Sequence, residues 1–266
     1  MTVNISLSVI DKVNDIAKRA GRAIMKIYEK DFAVEFKGDA SPVTEADQVA
    51  EDIIIAALRQ EVTDAYPIVA EESVAAGHAP DLTGKMAPFW LVDPLDGTKE
   101  FVKRSGDFTV NIALIDGGRP VLGVVHAPAI NQTFVGSQYG AFAETGGGQA
   151  RPIACREAPA DGLSAVVSLN HRSPETDTFL AQFTIKKEVS AGSSLKFCRV
   201  ATGQADLYPR LGRTMEWDTA AGHAVLRYAG GKVAKLDGTD LFYGKPGFEN
   251  PHFVAHGPGI RWTKPD

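Results

Sequence analysis

The segment Trp90–Phe101, WLVDPLDGTKEF, places two carboxylates, Asp93 and Asp96, at the end of an apolar run. Pro94 between them fixes one backbone torsion, and Gly97 admits a conformation closed to other residues. A strand can therefore feed a tight acidic turn that aims both side chains at one point. Converging carboxylates with no basic residue between them suit a hard cation. A short helix from Thr98 would turn its exposed amides, and that of Gly97, toward the same point, which favours a phosphate beside the cation. Taken alone, DPLDG reads equally well as an ordinary turn, since Asp, Pro and Gly are the commonest turn formers.

Acids elsewhere in the chain tip the balance. Pro67–Ala70 reads as a short buried strand ending at Glu71-Glu72-Ser73. A second strand that delivers carboxylates at its carboxyl end matches where open α/β sheets place their ligands. Trp217–His223 opens the last long helix, with Asp218 where an N-cap belongs and small residues after it that allow close packing. Thr44–Asp47 opens an earlier helix, where Asp47 completes a capping box with Thr44 and would serve the acidic turn if it faced it. Glu71, Asp93, Asp96 and Asp218, with Asp47 and Thr98 as partners, would repel one another unless cations bound between them. An all-oxygen donor set favours magnesium or manganese over zinc or copper.

Apolar periodicity supplies the elements that must carry these residues. Ile10, Val13, Ala17, Ala20, Ile24 and Ile27 predict an amphipathic helix from about Ser8 to Tyr28, capped by Ser8 and Asp11. Phe32–Phe36 predicts a short strand, Lys37–Pro42 a polar loop and Val74–Lys85 a solvated one. Phe108–Ile115 alternates strictly and turns at Asp116-Gly117-Gly118 into Pro120–His126, with His126 a strand-end residue rather than a ligand. Thr133–Val135 and Gly140–Ala143 extend this antiparallel run, and Gly146–Gly148 is a turn. From about Ala160 strands (Ala165–Leu169, Ile185–Val189, Asp206–Pro209) alternate with helices (Glu175–Phe183, Ser194–Thr202). The expected class is α/β (α+β) in two lobes. Residues 1–155 carry an antiparallel sheet and most of the acids, and 156–266 carry a smaller, mixed but largely parallel sheet with Asp218.

Composition narrows the function. The 266 residues are 44% hydrophobic and 23% charged, ordinary for a globular protein. A net charge of -5 with dispersed basic residues argues against nucleic acid as a partner. The amino terminus lacks the basic-then-apolar pattern of a signal peptide, and no apolar run reaches membrane-spanning length. The expected location is cytoplasmic, with peripheral contact to the inner membrane face left open. Cys155 and Cys198 lack the spacing of a zinc site or a disulfide framework. Oligomeric state is open between monomer and homodimer.

Three motifs in order, Glu71-Glu72, Asp93–Thr98 as DPLDGT and Trp217-Asp218, together resemble the pattern of the inositol monophosphatase superfamily. The segments DPLDGTKEF, FTVNIALID (Phe108–Asp116), GSSLKFC (Gly192–Cys198), GQADLYPRLG (Gly203–Gly212) and WDTAAGHAVL (Trp217–Leu226) are similar to its bacterial 3'(2'),5'-bisphosphate nucleotidase branch. Glu216 stands before Trp217 where many relatives carry an uncharged residue.

The resemblance implies a layered αβαβα sandwich and a magnesium-dependent phosphatase. By position, Glu71, Asp93 and the carbonyl of Leu95 would hold one magnesium, and Asp93, Asp96 and Asp218 a second, with Glu71 helping to bind a looser third. Thr98 with Asp47 would orient the attacking water, and the Gly97 and Thr98 amides would receive the phosphate. The branch implies His171, Ser193, Lys196 and Arg210 as nucleotide contacts, with Asp218 also near the substrate. The expected reaction is in-line hydrolysis of the 3'-phosphate of adenosine 3',5'-bisphosphate to AMP, with the sulfated analogue as a second substrate and lithium as an inhibitor. An inositol or sugar monophosphatase would use the same metal ligands with a different distal pocket. A non-catalytic metal or nucleotide sensor on the same fold is the reading from another class, and the intact acidic set argues against it.

Overall fold

The structure is a computed structural model and describes residues 3, 5–36, 38, 42–82, 87–167 and 173–264. His171, Leu169 and most of the predicted Lys37–Pro42 loop lie outside these residues.

Helix α1 (Leu7–Tyr28) begins one residue earlier than its periodicity suggests, because the Ser6 hydroxyl, not Ser8, accepts the Val9 amide as N-cap. A two-residue hairpin follows, β1 (Glu35–Phe36) with β2 (Pro42–Val43), so only the end of the predicted Phe32–Phe36 strand forms. Next come α2 (Glu45–Ala57), β3 (Ile68–Ala70) and the five-residue helix α3 (Glu71–Ala75). β4 (Phe89–Asp96) then leads into α4 (Thr98–Val102). β5 (Thr109–Asp116), β6 (Arg119–Ala127), β7 (Gln132–Ser137), β8 (Gly140–Thr145) and β9 (Arg151–Pro152) complete a seven-stranded sheet in the order β3-β4-β5-β6-β7-β8-β9. Only β3 and β4 pair in parallel.

Both faces of that sheet are covered, and strand alternation decides what goes where. Trp90, Val92, Val110, Ile112, Leu114 and Val124 face α1 and α2. Leu91, Ala113, Ile115 and Val125 face the opposite core. The second sheet is built from β10 (Leu163–Val167), β11 (Ile185–Ser190), β12 (Leu207–Arg210), β13 (Lys232–Lys235) and β14 (Phe253–His256), in the order β11-β10-β12-β14-β13. Its first three strands are parallel, but β14 runs antiparallel to both neighbours, so the sheet is evenly mixed rather than largely parallel.

Helices α6 (Leu195–Ala201) and α7 (Glu216–Tyr228) fill the space between the two sheets and share one core with both. The short helix α5 (Pro174–Leu180) packs outside, through Phe179 and Leu180 against Leu163, Ala165 and Leu207. The result is the expected αβαβα layering. No helix among the described residues is long and apolar enough to cross a membrane.

Helix α7 reaches the seven-stranded sheet only because glycines leave room for it. A Cβ on Gly136 of β7 would lie 2.5 Å from Val225 Cα and 2.6 Å from the Ala224 oxygen, both main-chain atoms that cannot rotate away. Gly123 of β6 faces Ala221 in the same way. Gly136→Ala should therefore push α7 off the sheet and cost about 1–3 kcal/mol or more. A fall in the thermal midpoint of several degrees checks this, and an unchanged midpoint would show the helix to be freely adjustable.

Candidate metal and phosphate site

The acids converge where the carboxyl ends of β3 and β4 meet the start of α7. One oxygen from each of Glu71, Asp93 and Asp218 lies within 4.8 Å of the other two. Asp93 is almost fully buried, and Glu71 and Asp218 are half-buried. Asp218 does not cap α7 as expected. Met215 is the N-cap, and Asp218 sits three residues later, where its Oδ2 accepts the Met215 amide at 2.9 Å. Its carboxylate thus closes the first turn of the helix and still reaches the cluster.

Asp93 and Asp96 would point to opposite sides of a regular strand, because side chains alternate. The ladder avoids this with a bulge: Asp93 pairs with Asn111 and Asp96 with Thr109, so three steps on β4 oppose two on β5. The extra residue re-aims Asp96, and both acids line one cleft. Gly97 follows at φ 94°, and a Cβ there would lie 3.2 Å from the Asp107 carbonyl oxygen, so the turn into α4 accepts little but glycine.

Crowding and withdrawal from water penalise the charged forms. Asp96 is pushed up to about 6, chiefly by burial, with Lys196 and the Asn111 amide pulling the other way. Asp218 is raised well above the carboxylate range, first by burial and then by the charges of Asp96 and Glu71. Burial pushes the Lys196 ammonium down against the attraction of Asp96. Two carboxylates, Asp96 and Asp218, this reluctant to ionise in one cleft are the electrostatic signature of a place for positive charge.

Asp47 completes the capping box and also faces the acidic turn. Its Oδ2 accepts the Thr44 amide and hydroxyl, each at 2.8 Å, which is the capping box. Its Oδ1 lies 3.2 Å from the Thr98 hydroxyl, which is also 3.2 Å from the Leu95 carbonyl oxygen. The single Thr98 proton serves one of these acceptors at a time.

Ser193, Lys196 and Arg210 line the same cleft, so three of the four expected nucleotide contacts are near the acids. His171 lies outside the described residues. Lys196 is 7% exposed, not the surface charge that helix periodicity alone suggests. Its ammonium donates to the Ser193 carbonyl at 3.0 Å. Ser193 adopts φ 43°, a costly conformation for a residue with a side chain. The Ser193 hydroxyl and Arg210 Nε are buried with no hydrogen-bond partner among the described residues, an arrangement that calls for a ligand or water.

Several participants carry no signal in the sequence. Asn111 donates to Asp96 at 3.2 Å and to Ser194 Oγ at 3.1 Å, and Ser194 donates to the Asp218 carbonyl at 2.7 Å, so the two acids share one buried chain of contacts. Tyr208, Arg213 and Glu100 also line the cleft, as does Lys99, whose charge beside the DPLDGT turn is visible in the sequence. Glu216, the odd acid before Trp217, is fully buried but faces away, accepting the Gly244 and Lys245 amides at 2.7 and 2.9 Å and the Lys245 ammonium.

The chain matches the model of the inositol monophosphatase family over residues 6–258. The 3'(2'),5'-bisphosphate nucleotidase CysQ of Escherichia coli (strain K12) is 44% identical over 248 residues, covering 92% of this chain and 98% of that protein. The CysQ of Buchnera aphidicola is 39% identical over 257 residues, covering 95% of each. Among solved structures, CysQ from Bacteroides thetaiotaomicron, described as a bacterial member of the same family, superposes with a TM-score of 0.80 at 36% identity, over 96% of this chain and 99% of that one. With a match across nearly its whole length and an acidic cleft assembled from the motifs that carry it, the chain belongs to the inositol monophosphatase family.

Proposed function

We propose that this protein is a magnesium-dependent phosphatase that removes the 3'-phosphate of adenosine 3',5'-bisphosphate, giving AMP and phosphate, and that it accepts the sulfated analogue. The observation that carries the reading is the Glu71, Asp93 and Asp218 oxygen cluster beside a cleft lined by Ser193, Lys196 and Arg210. Its relatives named as bisphosphate nucleotidases support the choice of substrate.

The donor set fits the cation. All side-chain ligands are carboxylates, and Asp96 and Asp218 resist ionising without a compensating charge. Glu71, Asp93 and the Leu95 carbonyl would hold one magnesium and Asp93, Asp96 and Asp218 a second, with Glu71 contributing to a third; manganese has the same donor preference. Bound there, magnesium supplies positive charge that makes water a stronger acid and offsets the charge developing on the phosphoryl oxygens.

The chain's own groups do the rest. Thr98 Oγ1 accepts a proton from the attacking water as its own hydrogen passes to Asp47 Oδ1, which lies within reach. Gly97 and Thr98 hold the phosphoryl oxygens by their amides. Ser193, Lys196, Arg210 and His171 hold the remainder of the nucleotide, and the second phosphate is what demands the extra cations.

A division into lobes at residue 155 is supported by the sheets themselves, since β9 ends at Pro152 and β10 begins at Leu163. We place the protein in the cytoplasm, where a phosphorylated small molecule would be its partner.

Phosphate release with magnesium from adenosine 3',5'-bisphosphate, adenosine 3'-monophosphate and inositol 1-phosphate, each with and without lithium, tests the reading. Preference for the nucleotides with lithium inhibition is expected. Lys196→Ala should then raise KM for the bisphosphate about tenfold while changing that for the monophosphate much less, as loss of one charge-assisted contact implies. Equal losses would remove Lys196 from nucleotide recognition, preference for inositol phosphate would move the substrate to that class, and no release from any would favour a sensor.

A further inference from the structure

Glu51 is 1% exposed, an unusual place for an acid, and no motif contains it. Both of its oxygens are occupied by one short stretch of chain. Oε2 accepts the Glu72 amide at 2.8 Å, and Oε1 accepts the Ser73 amide at 2.8 Å and the Ser73 hydroxyl at 2.6 Å. These donors open α3, whose own N-cap, Ala70, has no side chain able to serve them. Glu51 is therefore a cap supplied from another helix, and it grips the main chain immediately after Glu71.

Glu51 also stands four residues after Asp47 on α2, so the two carboxylates share one helix face, both buried. Asp47 reaches the DPLDGT turn through Thr98, and Glu51 reaches the Glu71 turn through Glu72 and Ser73. One rigid helical turn thus spans the two loops whose acids meet in the cluster. We infer that Glu51 is a positioning residue that sets where Glu71 stands relative to Asp93, and so tunes the affinity of the cluster for a divalent cation. This rests on the proposed role of Glu71 as a ligand.

Three donors converging on one carboxylate make the site intolerant of an amide. In Glu51→Gln, the Nε2 amide group of the new side chain would face an amide or hydroxyl donor, and the α3 turn would shift. Groups that orient a ligand without touching the metal commonly change its affinity about 10- to 100-fold.

The test is calorimetric titration of Mg2+ into metal-free protein, with thermal unfolding in chelator recorded alongside. Glu71→Gln is the control for the ligand reading, and Glu51→Gln for the inference. Both should weaken Mg2+ about tenfold or more. Weakening by Glu71→Gln with Glu51→Gln within twofold of the parent overturns the inference alone, whatever happens to the chelator midpoint, and leaves Glu51 with a purely structural role. No weakening by Glu71→Gln overturns the ligand assignment and the inference with it. Should Glu51→Gln fail to fold, Ser73→Ala carries the test, since it removes one of the three donors and keeps both amides. A two- to fivefold loss of Mg2+ affinity with an unchanged chelator midpoint supports the inference, and unchanged affinity overturns it.

Discussion

Asp93→Asn is expected to abolish turnover, lowering kcat by about 1,000-fold or more, while the protein remains folded. Both proposed metal positions share this carboxylate, and losing a direct ligand should exceed the effect of losing an outer partner or one transition-state donor. Folding should survive because the contact that Asp93 makes within the turn, acceptance of the Leu95 amide at 3.1 Å, is one the Asn oxygen can keep. The exchange also removes one charge from a repelling set, so the thermal midpoint in chelator should hold or rise, whereas the rise produced by magnesium in the parent should disappear. Activity assays with graded magnesium and paired melting curves check both halves. Retained turnover would sink the shared-ligand assignment, and a collapsed midpoint would mean that Asp93 is structural.

Asp47→Asn separates the capping role of one side chain from the catalytic role proposed for it. The parent carboxylate takes donors at both oxygens, Thr44 on one side and Thr98 on the other. Asn has one acceptor, so one of these contacts must be surrendered. If the amide oxygen stays with Thr44, the cap survives and Thr98 loses its proton acceptor, which should lower kcat about 100-fold or more, the range for a lost general base. If it turns to Thr98, the cap is lost at about 1 kcal/mol. The expected result is a large fall in kcat with Mg2+ affinity and KM little changed. A lower midpoint with unaltered kcat would assign Asp47 to capping alone.

Much of the fold was legible because its causes are local. The alternation of Phe108–Ile115 specifies a strand with two apolar destinations, and the structure sends those residues to the two cores on either side of the sheet. The spacing of Ile10, Val13, Ala17, Ala20 and Ile24 specifies one buried helix face. Pro94 and Gly97 specify a turn, since each restricts or releases its own torsion without reference to the rest of the chain. Acidic residues at strand ends and helix starts could be picked out for the same reason, and three motifs in order were enough to indicate the family.

What stayed hidden depends on partners remote in sequence. The Gly123 and Gly136 positions read as weak points in strands until α7 is laid across them. Lys196 reads as a helix surface charge, and only the second sheet and the acidic cleft make it a buried ammonium facing Asp96. Asn111 and Glu51 sit in ordinary strand and helix patterns, and their value lies entirely in what they touch. Residue type, spacing and turn chemistry are properties of neighbouring residues, so the order of residues alone marks which acids are candidates and which elements carry them. Distance, burial and the raised pKa values of Asp96 and Asp218 are properties of chain segments packed against one another. Packing between distant segments is what brings Glu71, Asp93 and Asp218 to one point, turns Asp96 into the same cleft through a bulge, and ties Asp96 and the Asp218 main chain together through Asn111 and Ser194.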